Sequence, residues 1–290
     1  MPRTRLICLA LRPRPAILRS RRSELVRFRP MNKSISYQEQ SWKQSRYGFA
    51  GFGFLSLLVL WFVLRLVLFV AFRPAGLPLT PVLWAFASGF QRDFFVALVE
   101  MVPLLFWLLI LPDRRSGAAW HRVFFLGGCF VFWFVQFFLL FVEYFFFDEF
   151  KSRFNTVAVD YLLFPREVFV NIWESYHVGV VLLACAALSF GWMFAASKLF
   201  GAMWERPFSA RTRMAHLAAV SVLALALAPT INLKGARVSD DRTLNEVADN
   251  GAIAFVAAAC WSRARRCWCL SARRPHMSIS PAMKRKRRPA

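Results

Sequence analysis

The chain has 290 residues, of which 58% are apolar and 17% aromatic, and its formal net charge is +22. This composition excludes an ordinary soluble domain and indicates a protein whose solvent is the membrane. The charge is concentrated at the ends, because residues 1–30 contribute +8 and residues 261–290 contribute +10, which leaves +4 for the residues between them. We therefore expect a nearly neutral membrane domain with two basic ends, and no nucleic acid partner.

Residues 1–30 alternate arginine, proline and short apolar pieces, without a run long enough for the core of a signal peptide. A second methionine, Met31, opens a polar stretch that is typical of the start of a membrane protein. We interpret residues 1–30 as an overlong N-terminus and residues 31–48 as a cytoplasmic segment. A basic arm that binds anionic phospholipid headgroups is the alternative for residues 1–30.

Five apolar runs are long enough to cross a bilayer, and we predict an all-α polytopic membrane protein with its transmembrane domain in residues 49–232. A helix of 24 residues, such as the first run, extends about 36 Å and so spans a hydrocarbon core of about 30 Å. Residues 82–90 form a shorter apolar piece, which we interpret as interfacial or re-entrant. The five predicted crossings are residues 49–72, 94–111, 123–147, 178–200 and 214–228.

The loop 148–177 is the most acidic part of the chain, with five acidic and three basic residues. Its last part has apolar residues four apart, at Val168, Ile172 and Tyr176, which predicts an interfacial helix. The charged loop residues could suggest metal or acid–base chemistry, but spacing alone does not make ligands converge, so a hydrated acidic loop is the favoured interpretation. The candidate residues of this loop are Asp148, Glu149, Arg153, Asp160 and Glu174.

Lysine and arginine in short loops mark the cytoplasmic side of a membrane protein. The loops at 113–122 and 198–213 are basic, whereas the loop 148–177 is acidic. The sequence therefore predicts an N-terminus inside and a C-terminus outside the cell.

The candidate polar cluster consists of four residues within the first three predicted crossings, where a charge needs a partner or a wet cavity. Arg65, Glu100 and Glu143 fall at similar predicted depth, and Gln136 shares a helix stripe with Glu143. One interpretation is an outward-facing polar pocket for a lipid headgroup. The favoured one is an Arg65–Glu100 ion pair that fastens the first two helices together.

Two stretches carry a resemblance to a known family. The run DEFKSRFNTVAVDYLLFPREVFVNIWESY resembles the loop between the third and fourth membrane helices of bacterial sulfatase-family proteins of the lipoteichoic acid synthase type, which belong to the alkaline-phosphatase superfamily. The run SDDRTLNEVADNG is similar to the linker before the catalytic domain of that family. The resemblance implies a bacterial cytoplasmic membrane protein with an extracytoplasmic domain that acts on phosphoglycerol or sulfate esters and uses a divalent metal, often manganese.

No catalytic residue can be carried over from this resemblance, because the residues after 260 do not resemble the catalytic domain. We interpret residues 233–260 as an extracytoplasmic linker and residues 261–290 as an out-of-frame tail, with a genuine basic tail as the alternative. A zinc site built from Cys260, Cys267, Cys269 and His276 is disfavoured, because the ligand spacing is unusual.

The leading functional expectation is thus a membrane anchor of a sulfatase-family or lipoteichoic-acid-synthase-like enzyme. The chain as printed is expected to be inactive and to need no cofactor. A small transporter or channel with a polar path at Arg65, Glu100 and Glu143 is the alternative. In both cases the partner is the lipid bilayer.

Overall fold

The computed structural model describes residues 45–74, 76–111, 118–201, 203 and 209–272, with side chains up to residue 263. The predicted segment 1–30, most of segment 31–48 and the end of the tail lie outside these residues. The described part of the chain is built from helices and contains no strand. The helices are α1 Arg46–Phe72, α2 Leu79–Ile110, α3 Ala119–Phe150, α4 Thr156–Tyr161, α5 Pro165–Ser175, α6 Val178–Phe200, α7 Ala210–Leu227, α8 Arg242–Ala248 and α9 Gly251–Ala272.

Five of these helices, α1, α2, α3, α6 and α7, are long and apolar enough to cross a membrane. The described residues confirm the predicted all-α class and the prediction of five helices of membrane-spanning length, and α6 has the predicted bounds. The orientation of the termini stays a prediction.

Helix α2 differs most from its prediction, because it begins at Leu79 and runs without a break through residues 82–90 to Ile110. The predicted interfacial or re-entrant piece is therefore wrong. The predicted second crossing begins at residue 94, directly after the polar residues Arg92 and Asp93, but both side chains are paired inside the protein. Charged side chains in a membrane helix do not need to reach water when protein groups pair with them.

Helix α1 is at the centre of the bundle, where it packs against α2, α3 and α6, while α7 packs on the far side of α2. One buried cluster joins Phe49 near the start of α1, Leu108 near the end of α2, Phe125 near the start of α3 and Phe200 at the end of α6. We call this the first end of the bundle. Residues near the end of α1 and the end of α3 lie at the opposite end, which we call the second end.

The predicted interfacial helix exists as α5, which begins at Pro165 and has no buried residue. Proline suits the first turn of a helix, where its missing N–H costs nothing. Phe169 and Trp173 remain 61% and 55% exposed, so the helix offers apolar side chains to its surroundings. Its position at the membrane surface stays a prediction.

The segment predicted as a linker, 233–260, is folded against the membrane helices. The Asp241 side chain caps α8 by accepting a hydrogen bond from the Leu244 backbone N–H at 2.7 Å. Leu244 and Val247 are each 1% exposed. Helix α8 packs on α1 and α2, and α9 packs on α4 and α2. This packing brings the polar residues between α8 and α9 to the second end of the bundle.

Candidate functional site

Arg65 occupies the centre of a charged cluster at the second end of the bundle. Its side chain is 1% exposed, and its Nη2 lies 2.8 Å from both carboxylate oxygens of Asp93 on α2. Its Nη1 donates to the backbone carbonyls of Val247 and, at 3.1 Å, Asp249. Arg65 therefore joins two membrane helices to the end of α8.

The predicted Arg65–Glu100 pair is wrong. Glu100 instead accepts a hydrogen bond from Nε2 of Gln136 on α3 at 2.8 Å. Asp93 lies seven residues before Glu100, hence on the same face of α2 and about 10 Å away along the helix axis. Because α2 extends back to Leu79, Asp93 lies within the helix and level with Arg65.

Glu143 on α3 forms an ion pair with Arg153, and their side chains are 9% and 4% exposed. The Arg153 Nε donates to the backbone carbonyl of Glu246 at 3.1 Å, and its backbone N–H donates to Oε2 of the same residue at 2.8 Å. Lys151, with φ of 49°, adopts the left-handed conformation that ends α3. The turn that follows places Arg153 between α3 and α8.

Two further contacts fasten the junction between α8 and α9. Arg92 Nη1 forms an ion pair with Asp249 Oδ1 at 3.0 Å and donates to the backbone carbonyl of Asn232 at 3.2 Å. Asn250 donates from Nδ2 to Asp93 Oδ1 at 2.8 Å, and its own Oδ1 accepts from the Ala252 N–H at the start of α9. The junction is thus bound to α2 by an ion pair and a side-chain amide.

We call this group the charge network, and its ionisable members are Arg65, Arg92, Asp93, Glu143, Arg153, Glu246 and Asp249. Burial raises the pKa of Glu246, while the N–H of Arg153 opposes this shift. When Glu246 carries a proton, three arginines face three carboxylates, so the network is neutral. Arg65 Nε is a buried donor that has no acceptor among the described residues.

Two glycines make room for the network. A Cβ atom on Gly89 of α2 would overlap the guanidinium group of Arg65, and one on Gly251 would overlap the carboxylate of Glu143. Close approach of a charged side chain to a helix backbone is possible here only because these residues lack a side chain. The charged groups and the glycine positions are therefore parts of one packing arrangement.

The predicted loop residues separate into two groups. Arg153 belongs to the charge network, whereas Asp148, Glu149, Asp160 and Glu174 are exposed and do not converge. Asp148 forms a surface ion pair with Lys151 at 2.9 Å. Within the described residues, no group of three or more histidine, cysteine, aspartate or glutamate side chains is placed to hold a metal ion.

Sequence reasoning did not identify the following network members: Asp93, Arg92, Glu246, Asp249 and Asn250. The spacing of Asp93 and Glu100 was a usable signal, because a seven-residue separation puts both acids on one helix face. The other four residues carry no such signal, since they lie in polar stretches that are usual at membrane surfaces.

Comparison of the chain with known protein families, curated proteins and solved structures finds no match.

Proposed function

We propose that this chain is the membrane-anchor domain of a sulfatase-family or lipoteichoic-acid-synthase-like enzyme, and that it holds the start of the extracytoplasmic part at a fixed place on the membrane. The proposal rests on the resemblance of two sequence stretches and on one structural observation. That observation is the fixation of residues 242–250 by the charge network, since this segment contains most of the linker-like run.

The contacts of the linker-like run go to several membrane helices. Val247 accepts from Arg65 of α1, Asp249 pairs with Arg92 of α2, and the Glu246 backbone accepts from Arg153 next to α3. A flexible tether needs no such contacts. An anchor that orients a catalytic domain toward lipid substrates benefits from them, because a fixed attachment limits the positions that the domain can adopt.

The transporter or channel alternative has less support. Arg65 and Glu143 are each engaged in a buried ion pair, and mutual pairing is the usual state of charges that fasten membrane helices. Glu100 forms a hydrogen bond to Gln136 in a different part of the bundle. The three residues therefore do not make one continuous polar path within the described structure.

A chimera tests the anchor function. This chain, through residue 260, is joined to the catalytic domain of a lipoteichoic-acid-synthase-type enzyme and expressed in cells that lack their own enzyme. We expect the chimera to restore polymer synthesis. If it is inserted in the membrane but inactive, while the same catalytic domain works on its own anchor, the proposal fails.

A charge exchange tests the role of the linker contacts in the same chimera. Arg92→Asp places two carboxylates together and should lower activity, whereas the double variant Arg92→Asp/Asp249→Arg restores opposite charges and should recover part of it. Equal activity of all three proteins would show that the fixed linker is not needed. The matched control is the exposed pair of Asp148 and Lys151, in which Asp148→Lys places two like charges together at the surface and should change little.

A further inference from the structure

A second polar site lies away from the charge network, at the first end of the bundle. It is a cavity of about 310 Å³ between α1, α2, α3 and α6. Its wall includes the carboxylate of Glu100 and the rings of Trp107, Trp133 and Trp192. The volume is at the lower end of the range for small-molecule pockets.

Glu100 is the acidic residue of this wall. Gln136 donates one hydrogen bond at 2.8 Å, and among the described residues Glu100 takes part in no ion pair. An ionised carboxylate at membrane depth costs several kcal/mol unless a positive charge compensates it, and without one the group takes up a proton. The amide of Gln136 orients the carboxyl group but carries no charge that could balance its ionised form.

Aromatic rings line the same cavity as Glu100 and are held in place by other contacts. Trp133 stacks on Trp192 with ring centroids 4.3 Å apart and an interplanar angle of 28°. The indole N–H groups are used elsewhere, since Trp192 donates to Ser56 at 3.0 Å and Trp107 donates to His121 at 3.2 Å. Trp192 also stacks on Phe52, with ring centroids 5.3 Å apart. The wall therefore offers those ring faces that stacking leaves uncovered, and such faces attract quaternary ammonium ions.

Two glycines keep the cavity open. Gly53 of α1 and Gly128 of α3 both line it, and a Cβ atom on either would meet no atom within 4 Å. Side chains at these positions would project into free space without a clash. Phe124, which is 61% exposed, borders the same cavity on α3, so the cavity is open toward the surroundings of the bundle.

We propose that this cavity binds a lipophilic quaternary ammonium ion that enters from the bilayer, with Glu100 as its counterion and the tryptophan rings as its aromatic wall. The cation supplies the charge that Gln136 cannot supply, and its alkyl groups fill the aromatic space. A neutral occupant such as an acyl chain would fill the space and favour the protonated form of Glu100. The charge of the ligand thus separates this proposal from simple lipid filling.

The test uses the purified full chain and two probes of the same shape. Benzyltrimethylammonium carries the charge, and neopentylbenzene is its neutral carbon analogue. Stabilisation by a ligand raises the melting temperature in proportion to the logarithm of ligand concentration over Kd. We expect the cation to raise the melting temperature as its concentration rises and to quench tryptophan fluorescence in a saturable way, and we expect no comparable effect of the neutral analogue.

Three variants make the test specific. Glu100→Gln keeps the shape of the side chain and should weaken cation binding by about tenfold or more, which corresponds to about 1.4 kcal/mol. Glu174→Gln removes an exposed acid elsewhere and should leave binding unchanged. Gly128→Leu fills the cavity and should abolish binding while the protein stays folded, so it provides the test if Glu100→Gln does not fold.

Equal stabilisation by both probes would overturn the proposal in favour of lipid filling. Full cation binding by Glu100→Gln or by Gly128→Leu would place the cation at another site. Absence of any saturable effect of benzyltrimethylammonium would also overturn it.

Discussion

Arg65 and Asp93 connect the first two membrane helices through a buried contact in which one guanidinium nitrogen lies 2.8 Å from both carboxylate oxygens. Both side chains are almost completely buried, with exposed fractions of 1% and 2%. The same arginine donates to the backbone of Val247, and the same aspartate accepts from Asn250. Helix association and fixation of the α8 segment therefore depend on the same pair of charges.

Replacement of one member of this pair should be much more damaging than replacement of both. Arg65→Leu or Asp93→Leu leaves a buried charge without its partner, which costs about 3–5 kcal/mol, whereas the double variant should recover much of that loss. Unfolding in detergent measures all three free energies. The control cycle pairs Arg65→Leu with Glu100→Leu, where we expect additive effects. If Arg65 were energetically coupled to Glu100 and not to Asp93, the Arg65–Asp93 ion pair would be contradicted.

Gly89→Ala should destabilise the protein, because the new methyl group would occupy the position of the Arg65 guanidinium. Overpacking of this kind costs about 1–3 kcal/mol, and here it also disturbs the ion pair with Asp93. Gly127→Ala on α3 is the matched control, since its Cβ would meet no atom within 4 Å. It should be neutral or stabilise by up to about 1 kcal/mol through helix propensity. Similar melting temperatures for both variants would show that Arg65 does not pack against Gly89.

The membrane helices could be predicted from the sequence because hydrocarbon imposes a simple rule on each of them. A helix forms all of its backbone hydrogen bonds within itself. If it is also apolar over about 20 residues, it can span a bilayer whatever its neighbours are. This rule is sufficient for helix α6, whose observed bounds are the predicted ones. The rule failed at the start of α2, where Arg92 pairs with Asp249 at the junction between α8 and α9, and Asp93 pairs with Arg65 of α1, rather than with water.

The pairing of the charges could not be predicted in the same way. The depth of a residue in the membrane indicates which residues of other helices it can contact. The rotation of each helix about its axis decides which of these contacts form. Glu100 and Asp93 lie on one face of α2, and only the length of α2 and the packing of α1 place Asp93 beside Arg65. The contributions of Glu246 and Asp249 depend on a segment whose composition is that of an ordinary polar loop.

The charge network should make stability depend on pH through Glu246, because burial raises the pKa of this residue above the ordinary 4.5 of glutamate. The native state then binds a proton more tightly than the unfolded state does. The contribution of Glu246 is therefore most favourable below the unfolded pKa and decreases as the pH rises through the folded pKa.

Glu246→Gln removes this titration while it keeps an oxygen that can accept from the Arg153 N–H. We expect the melting temperature of the variant, relative to that of the original protein, to increase with pH. Measurement at acidic pH, where both side chains are neutral, serves as the internal control. A constant difference across the pH range would show that Glu246 does not titrate differently in the folded protein.

The orientation of the bundle can be tested with topology reporters, and the order of the helices makes the expected pattern strict. Helices α1, α2, α3, α6 and α7 alternate in direction, so the loops at 113–122 and 198–213 must lie on one side and the loop 148–177 on the other. Loop charge predicts that the first two are cytoplasmic. Reporter fusions after Gly117 and Gly201 should therefore give a cytoplasmic signal, and fusions after Asn155 and Arg237 an external one. If Gly117 gave an external signal and Asn155 a cytoplasmic one, the bundle would be inverted, and the charge network would face the cytoplasm.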